Sequence, residues 1–146
     1  MNLKIAIVWE QVDAGGVDSV IACLLNHWNS SDTIDLFYNK HNNGVHRLQS
    51  LLKNNKTVSF KKVITPFFHI KANGLSIVIK LALHVIAPIL FLLNIILYYV
   101  RFKKGKYDVV LGQNGGFPGS YAVSAAMVAA RSVKINTRCM VIHHAA

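Results

Sequence analysis

The sequence predicts an α/β protein: a Rossmann-like parallel sheet of about five strands with flanking helices and one long apolar, membrane-contacting helix. Two observations carry the expectation. Short β-branched apolar runs alternate with segments of helical period, the pattern of βαβ crossovers and of a sheet covered on both faces. Glycine-containing loops also fall between a strand and the following helix. A chain of 146 residues, 53% hydrophobic and 15% charged, suits a single domain (residues 1–146) with its own core.

The elements follow in order. Lys4 to Trp9 is β-branched and apolar, a buried strand, and Glu10 to Gly16 is a polar turn. Apolar residues at 17, 20, 21, 24, 25 and 28 give Val17 to Trp28 the period of a helix. Thr33 to Tyr38 is a second strand, Val45 to Leu52 a short helix, and Thr57 to Ile64 a third strand. Phe60 with Lys61 and Lys62 marks that strand as an edge. Leu75 to Phe102 is helical, with Pro88 expected to kink or divide it. Tyr107 to Leu111 is a fourth strand, Gln113 to Ser120 a glycine-rich loop, Gly119 to Val133 an alanine-rich helix, and Arg138 to His143 a fifth strand.

Charge narrows the partners. The chain has 16 Lys+Arg against 6 Asp+Glu, and no carboxylate lies between Asp35 and Asp108. That window contains the uncharged run Leu81 to Val100, flanked by Lys71 and Lys80 and by Arg101, Lys103, Lys104 and Lys106. Nucleic-acid binding calls for charge interleaved with exposed aromatic and polar groups. Charge bracketing an oily helix suits an anionic bilayer surface, worth about 1 kcal/mol per nearby basic residue. Lys80, Arg101, Lys103 and Lys104 are therefore the expected membrane contacts, and no nucleic acid is expected. The run is long enough to span a bilayer. A single crossing would separate the first three strands from the last two, so the segment 75–102 is expected to lie at the interface. A buried core helix is the alternative. Lys4 precedes only five apolar residues, too few for a signal peptide. A peripheral position at the cytoplasmic, inner face of the cell membrane follows.

Cys23 and Cys139 lack metal-ligand spacing and are expected to be buried small hydrophobes; no metal site is expected. Ligands of open parallel sheets bind outside the carboxyl ends of the strands. Three features fall there. Gly15-Gly16 precedes the first helix, where backbone N–H groups and the helix dipole favour an anion. It fits neither the dinucleotide fingerprint nor the P-loop. In the second loop, Gln113, Asn114, Gly115 and Gly116 are placed to hydrogen-bond a polyhydroxylated ligand. His143 ends the last strand, as a donor to substrate. Asp18 belongs to the first helical turn, where the dipole favours it, and Asp108 to the amino-terminal edge. No nucleophile–base pair is apparent.

Together, Lys4 to Trp9 with Gly15-Gly16-Val17, the strand–loop Tyr107 to Gly119, the helix through Ala129-Ala130-Arg131 and the strand ending Val141-Ile142-His143 resemble the N-terminal, acceptor-side domain of family 4-type glycosyltransferases with two Rossmann domains (GT-B). The basic and oily middle is the divergent part. The resemblance implies transfer of a sugar from a nucleotide-sugar co-substrate to a saccharide or lipid-linked acceptor, with no bound cofactor. It implies Gly15 and Gly16 against donor phosphates and acceptor, His143 in the catalytic position by the transferred sugar, and Asn114 to Gly119 on the acceptor side. The family's nucleotide-sugar domain and its paired glutamates are absent from this sequence, so turnover is expected to require a second catalytic domain or chain. The alternative is a non-catalytic membrane adaptor that recruits a separate glycosyltransferase.

Overall fold

The computed structural model describes residues 2–11, 14–28, 31–53, 58–64, 77–114 and 121–142, and within these all side chains but those of 77–84 and 114. Nine elements alternate strand and helix: β1 Lys4–Glu10, α1 Gly16–Asn26, β2 Thr33–Asn39, α2 Gly44–Leu51, β3 Val58–Val63, α3 Ile77–Gly105, β4 Val109–Asn114, α4 Tyr121–Ser132 and β5 Thr137–Ile142. The sheet is wholly parallel, in the order β3-β2-β1-β4-β5. The expected α/β class, with its five-stranded parallel sheet, flanking helices and one long apolar helix, therefore stands, with β3 at the predicted edge.

Strand alternation sorts the side chains into two cores. Ile5, Ile7 and Trp9 of β1 join Leu36, Leu111 and the buried faces of α1 and α2. Ala6 and Val8 face the other way, with Phe37, Val110, α3 and α4. Both faces are thus covered, which is why β1 reads as a continuous apolar run. On the second face Phe37 stands edge-on to Tyr98, Phe102 and Tyr107, with ring centroids 5.9–6.3 Å apart. Five buried alanines of α4 (Ala122, Ala125, Ala126, Ala129, Ala130) let it lie close to its neighbours. Gly112 serves the same purpose: a Cβ there would stand 2.5 Å from Val123 Cγ1.

Carboxylates pin the amino-terminal edge. Asp108 accepts from the Lys4 N–H at 2.8 Å while its own N–H donates to the Lys4 carbonyl. Asp32 accepts from the Leu3 N–H and from the Trp28 indole, which hold its carboxyl below the usual carboxylate range.

Several boundaries and one pair of placements differ from expectation. Pro88 sits inside a single helix, α3, and does not divide it. β4 starts later than expected and extends through Gln113 and Asn114, because register with Trp9 and Glu10 keeps both paired. Cys23 and Cys139 are exposed, not buried. Cys23 falls between the inward positions of α1, and Cys139 lies on the outermost strand β5.

Candidate functional site

Strand order reverses between β1 and β4, the place where an open parallel sheet opens a crevice at its carboxyl ends. Helices α1 and α4 begin at this rim, one on each face. Gly15 is the N-cap of α1, in extended conformation. A Cβ on Gly15 would meet Gln11 Nε2 at 3.0 Å, whereas one on Gly16 would meet nothing within 4 Å among the described residues. Gly16 thus opens directly onto free space at the start of α1.

Two carboxylates organise the rim. Glu10, the last residue of β1, follows Ala6 and Val8 onto the α4 face, and its Oε2 accepts from the Ala122 N–H at 2.8 Å. It thereby caps α4 as an anion at the positive end of the helix. Asp18, fully buried in the first turn of α1, accepts from the Gly15 N–H at 2.9 Å. Its Oδ1 has no hydrogen-bond partner and points at Gly44, where α2 begins. Asn42 shares that corner: its Oδ1 accepts from the Gly44 N–H at 2.8 Å, and its buried Nδ2 is unpartnered. Asn39, at the end of β2, accepts from the His41 N–H at 3.0 Å.

The expected binding residues separate into groups. Gly15, Gly16 and Gln113 share the rim, and register places Asn114 opposite Glu10. Gln113 is only 2% exposed and alternates onto the α1 face beside Trp9, so it underlies the rim rather than projecting from it. Gly115, Gly116 and His143 lie outside the described residues. Asp18 and Asp108 stand where the sequence places them, one in the first turn of α1 and one at the opposite edge. Glu10 and Asn42 are the rim residues the sequence analysis passed over. Ending β1 at Trp9 hid Glu10; one further residue of alternation puts it on the α4 side.

Among the described residues no group of three His, Cys, Asp or Glu side chains could hold a metal ion. Chemically, the described carboxylates and amides of the rim are mostly buried or engaged at helix starts, so they shape the crevice, and the open start of α1 is its accessible part.

The long helix bears on the same rim. α3 has 29 residues, about 43 Å at 1.5 Å per residue, against about 20 Å for a six-residue strand. Its carboxyl end leads into β4 at the amino-terminal edge, and Phe91 meets Tyr121 of α4 at the rim, with centroids 6.5 Å apart. The turns before Phe91 therefore extend past the carboxyl ends of the strands. Val85–Gly105 is long and apolar enough to cross a membrane, and only 17% of its most apolar window is buried. Asn94, Tyr98 and Phe102 face inward, while Val85, Ile86, Ile89, Leu92, Leu93, Ile96 and Val100 are exposed. Lys103 and Lys104 are exposed at the end of the helix and Arg101 is half-buried; Lys80 belongs to the part of α3 whose side chains are not described.

No protein-family model and no curated protein matches the chain.

Proposed function

We propose that this chain is the acceptor-binding Rossmann half of a glycosyltransferase. It moves a sugar from a nucleotide-sugar to a saccharide or lipid-linked acceptor, as a peripheral protein at the inner face of the cell membrane. The observation that carries the reading is where α3 goes: its uncovered apolar side continues past the rim at which an open parallel sheet takes its ligand. A saccharide held on a lipid carrier calls for that juxtaposition, since its two ends need a polar crevice and an apolar surface side by side. The open start of α1 at Gly16 supports it.

The test is sugar transfer by the complete enzyme from radiolabelled nucleotide-sugars into lipid-soluble and water-soluble acceptors. Gly16→Trp puts an indole into open space at the start of α1, so it is expected to abolish transfer while leaving the circular dichroism spectrum unchanged. His143→Ala is expected to abolish transfer as well. Full activity in both variants removes the glycosyltransferase reading.

A second reading, the non-catalytic membrane adaptor, is favoured by one observation. Both described rim carboxylates, Glu10 and Asp18, hydrogen-bond at helix N-termini. An adaptor co-purifies with a separate transferase chain, binds vesicles in a salt-sensitive way, and supports that partner's activity equally well as Gly16→Trp.

A further inference from the structure

At the amino-terminal edge, away from the rim, the carboxyl ends of α3 and α4 enclose an open cleft of about 500 Å³. Lys103, Lys106, Lys134, Tyr99, Tyr107 and Asp108 are among its lining residues. Three lysines against one carboxylate leave it cationic, and the Asp108 carboxylate is already engaged by the Lys4 N–H. Behind the lining, Tyr107 meets one charge of each sign: the Lys4 ammonium lies 5.3 Å from its ring centroid, and the Asp35 carboxylate accepts from its hydroxyl.

Two of these lysines occupy backbone positions that suit another residue. Lys106 (φ 52) and Lys134 (φ 63) are the only described non-glycine residues in the left-handed region. Each follows the last turn of its helix: the Lys106 N–H donates to the Phe102 carbonyl, and the N–H groups of Lys134 and Ile135 donate to Arg131 and Ala130. Helix ends of this kind usually carry glycine, which adopts positive φ without the steric cost of a Cβ. Lysine at both ends, with both side chains on one cleft, is a strained arrangement with a shared charge.

The cleft also joins the apolar side of α3. At 100° per residue the exposed residues from Val85 to Val100 form a stripe roughly 120° wide. Lys103 and Lys104 fall on that same stripe one turn further on. Lys103 thus belongs to the stripe and to the cleft, and its Nζ lies 5.7 Å from the Tyr99 centroid. An apolar strip ending in a cationic cleft has the polarity of an anionic phospholipid.

We propose that the cleft between the carboxyl ends of α3 and α4 binds the phosphate headgroup of an anionic phospholipid whose acyl chains lie along the stripe of α3. The site rests on the membrane part of the proposed function and adds to it a headgroup preference and a seat at the edge opposite the rim. Lys103, Lys106 and Lys134 would surround the phosphate, and the neighbouring stripe would enter the acyl region.

The test uses flotation of the chain with vesicles of phosphatidylcholine alone and of phosphatidylcholine mixed equally with phosphatidylglycerol. The variants are Lys106→Gly, Lys134→Gly and the pair. Glycine relieves the positive φ, so these variants should unfold at the same or higher urea concentration, which removes misfolding as an explanation. Affinity for the anionic vesicles should fall about fivefold per lysine and roughly thirtyfold for the pair. Binding to phosphatidylcholine alone should not change. A charge-matched control, Lys40→Gln with Lys53→Gln, should lose far less. Equal losses in control and pair, or no loss in the pair, overturn the cleft while leaving membrane binding standing. Failure of the unaltered chain to float with either vesicle overturns the membrane reading and the cleft with it. Titration with inorganic phosphate separates the remaining source: if phosphate at millimolar concentration displaces the protein from vesicles and binds with the same lysine dependence, the site is one for free phosphate and the lipid assignment fails.

Discussion

Asp18 and Gly44 show how closely one side chain can tie two helices. Asp18 is fully buried, caps the start of α1 through the Gly15 N–H, and presses its other oxygen against the first residue of α2. A methyl group on Gly44 would stand 2.7 Å from Asp18 Oδ1. Alanine's helix preference over glycine, worth up to about 1 kcal/mol in a helix interior, applies weakly at a first helical position. Overpacking costs about 1–3 kcal/mol, so the clash outweighs the propensity. Gly44→Ala is expected to destabilise the protein by about 1–2 kcal/mol, read from the midpoint of urea unfolding; a midpoint that rises would mean that α2 shifts freely away from Asp18. At this scale the sequence was partly legible. Asp18 in a first turn follows from spacing, but its contact with Gly44, 26 residues later in the chain, needs α1 and α2 packed on the same face.

Helix α3 is the element whose character was hardest to read. Its composition permits a bilayer span, an interfacial helix or a core helix, and its low amphipathic contrast does not choose among them, since apolar residues occupy all sides. Packing chooses. Asn94, Tyr98 and Phe102 are buried against the domain, so that side is not available to lipid, and the opposite side is covered by nothing among the described residues. The proposed interfacial helix requires such a division between a packed side and an open one. Ile89→Asp with Ile96→Asp places two charges on the open stripe, where Ile89 is 55% and Ile96 59% exposed. Surface substitutions of this kind change stability by roughly 0.5 kcal/mol or less. The double variant should therefore keep its fold by circular dichroism yet lose flotation with phosphatidylglycerol-containing vesicles. Retained flotation would move the membrane contact off α3. Pro88 illustrates the limit of local rules: a proline that would end many helices lies within one continuous helix here.

For the whole molecule, the order β3-β2-β1-β4-β5 sets which strands are shielded. β1 is central, with Ile5, Ala6, Ile7 and Val8 fully buried, while β3 and β5 are edges and Thr137 to Met140 of β5 are exposed. Hydrogen exchange should accordingly be slowest for the amides of β1 and β4 and fastest for those of β3 and β5. Equal protection across all five strands would indicate that the edges are covered in solution. The same order puts two surfaces at opposite ends of the sheet. The rim, with Gly16 and Glu10, lies at the carboxyl ends; the lysine cleft lies at the amino-terminal edge, and α3 runs from one to the other.

By itself the sequence determined the class of the fold, the alternation of strands and helices, the edge position of β3, and the concentration of positive charge around an oily segment. These are properties of period and composition, carried by residues near one another in the chain. The tertiary structure alone decided which carboxylates meet which helix starts, that Gln113 is buried beneath the rim, that the two cysteines are exposed, and that Lys106 and Lys134 share a cleft. Each of these depends on residues distant in sequence being brought together by strand order and helix packing, and no local pattern encodes that distance.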